Sequence, residues 1–322
     1  MERARVVGLL VALLAVTACG GEGGAATPRG ESSGAAPALV RNCDRETSLA
    51  RAPERIVSLN QAATELLLAL GVQDRMVGTA YLDNPVRDDL ATAYADVPVL
   101  AEQYPSKEVL LAASPDLVVA GLASAFSRAD GRDRDALEGL GVSTYAMQCN
   151  DDEDLTFTET LERVREVAAL VGAEGRGREL VADLQRQWGT KAPAGPRVLV
   201  YYGGEDKPNV AGGRGIADEI VEQAGGVNVM DDVDSTYGEL SWEQVVQRAP
   251  DVIVLADYDD PTVPDATERE RFLTGFAPVR GVPAVQQRRF PVVPLTGLSF
   301  PSVRNAEVAA QLRTTLQEVA AR

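Results

Sequence analysis

Along most of this chain, short apolar runs bounded by turn-forming residues alternate with segments whose apolar positions recur every three or four residues. The first pattern predicts buried strands and the second amphipathic helices. RIVSL (55–59) reads as a strand, AATELLLALG (62–71) as a helix stopped by glycine, and RMVGT (75–79) as the next strand. A helix opening at Ser106, a strand DLVVAG (116–121), a helix DRDALEGLG (133–141) and a strand STYAM (143–147) follow. Strands alternating with short helices indicate parallel βαβ units.

The rhythm changes after residue 153. From 154 to 188 there is no strand signal. Leu161, Val164, Ala168 and Val171 keep a helical spacing, as do Val181, Leu184 and Trp188. GAEGRG (172–177) interrupts them, which leaves one long kinked helix or two helices in tandem, and TKAPAGP (190–196) ends the stretch. The βα pattern then restarts with RVLVYYG (197–203), a glycine-rich AGGRG (211–215), a helix IADEIVEQAGG (216–226), a strand RFPVVP (289–294) and a closing helix (302–321). The expected architecture is α/β: two lobes with parallel sheets, 43–153 and 191–322, joined by a long connecting helix at 154–190. The lobes echo each other, PERIVSL with TELLLALGV in the first and GPRVLVYYG with DEIVEQAGGV in the second.

The strongest echo is SKEVLLAASPDLVVAG (106–121) against SWEQVVQRAPDVIVLA (241–256). Ser106 and Ser241 suit N-caps, and Gln244 could complete a capping box with Ser241. Glu108 and Glu243 then fall in first helical turns, where the helix dipole favours a carboxylate. Pro115 and Pro250 stop the helices. Taken singly, each glutamate is what an ordinary helix start uses. Taken as a pair, they are two separated carboxylates on one face of two similar lobes, suited to a partner with two basic pockets.

Composition and charge narrow the classes. The 322 residues carry 31 basic and 48 acidic side chains, a formal charge of -17, which repels phosphate backbones and makes nucleic acid an unsuitable partner. There is no histidine, which removes Ser-His-Asp and Cys-His catalysis and the usual zinc sites. Arg3 and Arg5 precede an apolar run, VVGLLVALLAV (6–16), too short to span a bilayer stably. The run ends in VTAC, which resembles a bacterial lipobox with Cys19 as the lipidated first residue of the mature chain; a plain secretory signal is the alternative. A signal peptide at 1–19 and a flexible Gly/Ser/Ala tether at 20–42 are therefore expected. Cys43 and Cys149 remain, and in an exported chain their even count suggests a disulfide closing 149 − 43 = 106 residues. Such a loop is worth about 4–5 kcal/mol in the chain-entropy estimate. Two buried free thiols are the alternative.

The lipobox, the paired lobes, the helical connector, RIVSLNQAATELLLALG and the doubled Ser-x-Glu…Pro-Asp units together resemble the ABC-importer substrate-binding proteins for iron–siderophore complexes and corrinoids, periplasmic-binding-protein class III. The resemblance covers 43–322 and implies Rossmann-like lobes and no enzymatic activity. It implies that Glu108 and Glu243 insert toward arginines of a dimeric permease. It implies a monomer, lipid-anchored on the outer face of the bacterial cytoplasmic membrane, that captures a ferric siderophore, with a corrinoid as the alternative ligand. Small lobe motion on binding is a further implication.

Ligands of open α/β sheets sit beyond the carboxyl ends of the strands, and between two lobes those ends share a cleft. The loops expected there carry Asn60, Tyr81, Tyr104, Phe126, Tyr237 and Phe300, with Arg128, Arg214 and Arg304 to grip an anionic chelate. In some relatives an aromatic ligand contact occurs at the place of Tyr237. For each residue, loop packing or plain exposure is the alternative role. AGGRG lacks a P-loop lysine and is expected to bring backbone amides and Arg214 to the ligand. A haem site would rest on tyrosine alone. A chelated metal brings its own ligands, so no direct metal site and no cofactor are expected. Asp83, Glu102 and Glu239 leave carboxylate-only hydrolysis as a competing enzymatic reading, and an adhesion or scaffold lipoprotein as another.

Overall fold

The computed structural model describes residues 38–150, 153–258 and 263–321. Residues 1–37, with Cys19, the signal segment and most of the tether, lie outside the described residues. The fold opens on β1 (Ala38–Asn42) and β2 (Arg45–Leu49), an antiparallel hairpin. This corrects the tether boundary: 38–42 is sheet. Cys43 and Asp44 hold φ of 52° and 60°, the paired positive values of a type I′ turn, without the usual Asn-Gly signature.

The first lobe comprises β3 (Ile56–Leu59), α1 (Gln61–Ala69), β4 (Met76–Ala80), α2 (Ala91–Tyr94), β5 (Val99–Ala101), α3 (Lys107–Ala112), β6 (Leu117–Leu122), α4 (Arg134–Glu138) and β7 (Ser143–Gln148). Its strands run parallel in the order β5-β4-β3-β6-β7. The hairpin covers the outer edge of β7: Asn42 Nδ2 donates to the Ala146 carbonyl at 2.7 Å, Asn42 Oδ1 accepts the Ala146 N–H at 2.9 Å, and Thr47 donates to the Thr144 carbonyl. A free strand edge is an aggregation template, and side-chain pairing blunts it. A disulfide between Cys43 and Cys149 ties the hairpin turn to the end of β7.

The connector is two helices, α5 (Phe157–Leu170) and α6 (Glu174–Trp188), of which α6 runs from one lobe to the other. They double back rather than continue: the rings of Phe157 and Trp188, at opposite ends of the sequence stretch, stack at 4.0 Å. Gly172, at φ 65°, ends α5. Gly177 lies inside α6, where a Cβ would stand 2.5 Å from Ala168 Cβ; its absence lets the two helices touch. Arg176 Nε holds the Ala69 carbonyl of the first lobe at 2.9 Å, and Arg313 Nη2 of the second lobe holds the Trp188 carbonyl at 2.7 Å.

The second lobe comprises β8 (Arg197–Gly203), β9 (Asn209–Ala211), α7 (Gly215–Gln223), β10 (Val227–Asn228), β11 (Tyr237–Glu239), α8 (Trp242–Arg248), β12 (Val252–Asp257), α9 (Ala266–Gly275), α10 (Pro283–Gln286), β13 (Val292–Pro294), α11 (Leu295–Ser299) and α12 (Asn305–Ala320). The order is β11-β9-β8-β12-β13, with β10 on the first residues of β8. β9 and β11 are antiparallel, so this sheet is mixed where a parallel one was expected. One apolar core runs through both lobes and the connector, joining Leu66 and Leu67 to Val164, Leu184, Ile220 and Leu312.

The doubled sequence is a doubled structure. Ser106 and Ser241 accept the N–H groups of Val109 and Gln244, each at 3.3 Å, as N-caps of α3 and α8. Ser114 and Ala249, eight residues on, both take left-handed backbone (φ 48° and 42°) before Pro-Asp. Asp116 and Asp251 accept the N–H groups of Arg55 and Arg197; Arg55 also donates to the Ala113 and Ser114 carbonyls just past α3, and Arg197 to the Arg248 carbonyl that ends α8.

Candidate functional site

In the first sheet the strand order reverses between β3 and β6, and a crevice opens beyond such a switch point. Asn60 follows β3 and Tyr81 follows β4; both hold positive φ, 74° and 59°, costly for residues with a Cβ. Gly121 at the end of β6 leaves room for Asn60, since a Cβ there would meet Asn60 Cβ at 3.1 Å. Asn60 Nδ2 donates to the Tyr104 hydroxyl at 2.9 Å, and that hydroxyl pairs with Ser124 at 3.3 Å. The Tyr81 and Tyr104 rings meet edge to face at 4.7 Å, and the Arg132 guanidinium lies 5.4 Å from the Tyr104 ring. Sequence reasoning brought Asn60, Tyr81 and Tyr104 to one place, and the structure joins them.

The second lobe brings Phe300 against Asn60, and Tyr202, Tyr237 and Ser299 to a second point of the lobe junction beside Gln148. Ser299 Oγ donates to the Tyr202 hydroxyl at 2.9 Å, and the Tyr237 ring lies 5.4 Å from that of Tyr202. The Tyr258 hydroxyl donates to the Tyr202 carbonyl at 3.4 Å. Beneath them the buried Arg269 donates to the carbonyls of Tyr202 and Ala256, fixing the ends of β8 and β12 where that sheet reverses. Tyr202 and Tyr258 were not expected: Tyr202 reads in sequence as one more core residue of a strand. With Tyr81, Tyr104 and Tyr237 they place five of the chain's eight tyrosines at strand ends. Burial pushes the Tyr104 and Tyr202 phenols above the ordinary range, so at neutral pH both are hydroxyls that give and take hydrogen bonds.

Two cavities of about 10 Å³ each mark the junction. One brings Phe300 and Thr296 of the second lobe against Asn60, Asp83 and Gly121 of the first. The other is lined by Gln148, Tyr202, Arg214, Thr236, Tyr237 and Ser299 among others. Phe126 packs on the same core cluster of the first lobe as Tyr104, with the Arg134 guanidinium 5.8 Å from its ring.

Each of the three expected arginines has a carboxylate neighbour. Arg128 is 81% exposed at its side chain and pairs with Asp135 at 3.4 Å. Arg214 bonds Asp154 at 2.8 Å and Asp234 at 3.1 Å. Arg304 is buried against Glu65, with Nε donating to Glu65 Oε2 at 2.7 Å and Nη2 to Oε1. None is left without a counter-charge. The candidate carboxylates are likewise dispersed: Asp83 accepts from Thr296, Glu239 lies 3.9 Å from Lys207, and Glu102 is exposed. Among the described residues no cluster of three or more Cys, Asp or Glu could hold a metal ion.

Glu108 and Glu243 occupy the same second position of α3 and α8, and both are exposed. Backbone N–H groups of the helix start and then the capping serine hold both carboxyls below the usual range. Among the described residues no helix is long and apolar enough to cross a membrane.

The model of the family described as periplasmic binding protein matches residues 56–294. The chain is 28% identical over 211 residues to a vitamin B12-binding protein of Vibrio cholerae, covering 64% of this chain and 71% of the relative. A periplasmic binding protein structure from Veillonella parvula superposes with TM-score 0.78 at 25% identity, over 88% of this chain and 98% of that one. A structure described as an ABC-type Fe3+-hydroxamate transport system, from Saccharomonospora viridis, gives 0.70 at 25% identity, over 86% and 98%. The chain belongs to the periplasmic binding protein family, the extracytoplasmic substrate-binding components of ABC transporters, which are transport proteins and not enzymes.

Proposed function

We propose that this chain is the binding subunit of an importer for a corrinoid, a monomer anchored through lipid on Cys19 that presents its ligand to a permease dimer through Glu108 and Glu243. The observation that carries the ligand class is the chemistry of the cleft. Neutral tyrosine hydroxyls, Asn60 and Ser299 come from both lobes, and the three arginines expected to grip an anion are already paired. A corrin ring offers a large flat face to aromatic side chains and a fringe of neutral amides to hydroxyls and amides. Its metal arrives held within its own ring, so the protein supplies no metal ligand. Anionic catecholate or citrate complexes would meet a chain of charge -17 without a free cation from those arginines. The 28% identity to a vitamin B12-binding protein supports the same reading.

The ferric siderophore keeps one specific support, the likeness to the hydroxamate-transport structure. A neutral ferric trihydroxamate fits the paired arginines better than a charged chelate does. Calorimetric titration of the body from Gly20 onward tests these readings, with cyanocobalamin, cobinamide, a ferric trihydroxamate, ferric citrate and haemin as ligands. Sub-micromolar binding of the corrinoids alone is expected. Tight binding of the trihydroxamate alone installs the second reading, and tight binding of ferric citrate or haemin alone overturns both.

A further inference from the structure

We propose that the buried Glu65–Arg304 ion pair is an inter-lobe latch that fixes the spacing of the two lobes and holds the ligand-lining loops of the cleft in register. The idea rests on the binding role proposed above for its consequence, but the latch itself stands on geometry. Glu65 lies on α1, five residues after Asn60 (65 − 60 = 5), and is fully buried at 0% exposure. Arg304 lies four residues after Phe300 (304 − 300 = 4), just before α12, and is 7% exposed. Each charge therefore follows closely in sequence on a cleft residue of its own lobe.

The pair is fully dressed. Glu65 Oε1 also accepts from Gln61 Nε2 at 2.8 Å and from the Arg87 N–H at 3.1 Å, while Arg304 Nη2 also donates to the Pro85 carbonyl at 2.8 Å. The loop after Tyr81 is strapped across the lobes by the same group. Asn84 Nδ2 donates to the Asp257 carbonyl at 3.3 Å and Arg87 Nη1 to the Val303 carbonyl at 3.2 Å. Parting the lobes here would strand two buried charges and break several of these bonds together. Apolar contacts slide and re-form; a forked ion pair on a fully buried carboxylate does not. Glu65 and Arg304 are thus positioning residues. They set how far Tyr81 and Asp83 stand from Phe300, and ligand release into a permease must work against them.

The test is a variant that removes both charges and keeps volume, Glu65→Leu with Arg304→Met, so that no lone charge is buried. It is compared with the wild type by small-angle scattering, by hydrogen exchange at 83–89 and 295–304, and by the release rate of cyanocobalamin. The expected variant folds with wild-type circular dichroism, exchanges faster in both segments, has a larger radius of gyration, and releases the ligand about tenfold faster with its association rate little changed. A folded double variant with wild-type exchange and scattering overturns the latch and leaves the pair as core packing. If the double variant does not fold, Arg304→Lys decides, since it keeps the charge and loses the fork; the same loosening is expected, and its absence overturns the proposal. Should cyanocobalamin not bind the wild type, the corrinoid reading fails, while exchange and scattering still decide the latch.

Discussion

Arg214 stands at the rim of the cleft, at the start of α7, and sequence alone makes it a ligand-gripping cation. The structure gives it Asp154 and Asp234, from segments 60 and 20 residues away. Residue type is legible in a sequence; the counter-charge that cancels it is not, because it arrives through tertiary contact. Arg214→Ala is therefore expected to change corrinoid affinity less than twofold, whereas Tyr237→Ala, which removes an aromatic face from the cleft, is expected to weaken it roughly tenfold or more. Calorimetric titration of both variants checks this, and the reverse ranking would restore the anion-gripping view. Asn60 and Tyr104 were legible for a physical reason: they follow strand ends, and strand ends face the cleft. Tyr202 was not, because a tyrosine in RVLVYYG is indistinguishable from its buried neighbour Tyr201 until the strand's last residues are known. In the fold they differ: the Tyr201 phenol bonds the Gly204 carbonyl, and burial pushes it up to about 12, while Tyr202 meets Ser299 and Tyr237.

At the scale of elements, the period of apolar residues carried most of the fold. β3, β4, β6, β7, β8 and β12, with α1, α3, α4, α7 and α8, fall where the pattern puts them. What escaped the pattern were short elements such as β5, α2 and β9, and elements held by distant partners. The β1–β2 hairpin lacks a strong apolar alternation and is stabilised by Asn42 and Thr47 on β7 and by the disulfide to Cys149. The connector shows the same limit. GAEGRG marks an interruption, but its three glycines and both helices are compatible with a bend or a reversal; the stack of Phe157 on Trp188 selects reversal. Gly177 gives a test. In an isolated helix Gly→Ala stabilises by roughly 0.5–1 kcal/mol. Here the new Cβ would stand 2.5 Å from that of Ala168. Gly177→Ala is expected to destabilise the protein by about 1–3 kcal/mol, as overpacking does. Denaturant unfolding measures it, and a gain in stability would mean that the helices part at no cost.

At the scale of the molecule, two similar lobes suit the two-halved permease proposed above, and the doubled segment is where that symmetry would be read. α3 and α8 share a serine cap, a glutamate at the second position, a left-handed residue before Pro-Asp, and an arginine, Arg55 or Arg197, on carbonyls at or just past the helix end. Fold stability needs the caps and the Pro-Asp turn; it does not need the exposed carboxylates, which touch only their own helix starts. That separation makes docking testable without disturbing binding. Glu108→Gln with Glu243→Gln is expected to leave the thermal midpoint and corrinoid affinity within error of wild type, and to abolish stimulation of the reconstituted permease's ATPase. Each single variant should keep one anchor and lose only part of the response. The sign with pH follows from the lowered carboxyl pKa values. Both groups stay ionised below the ordinary glutamate range, so stimulation should persist as pH falls through about 4.5 and fade only further into acid. High salt should weaken docking while leaving capture of a neutral ligand unchanged. Full stimulation by the double variant would reduce the two glutamates to helix starts and leave the repeat with no role beyond the fold.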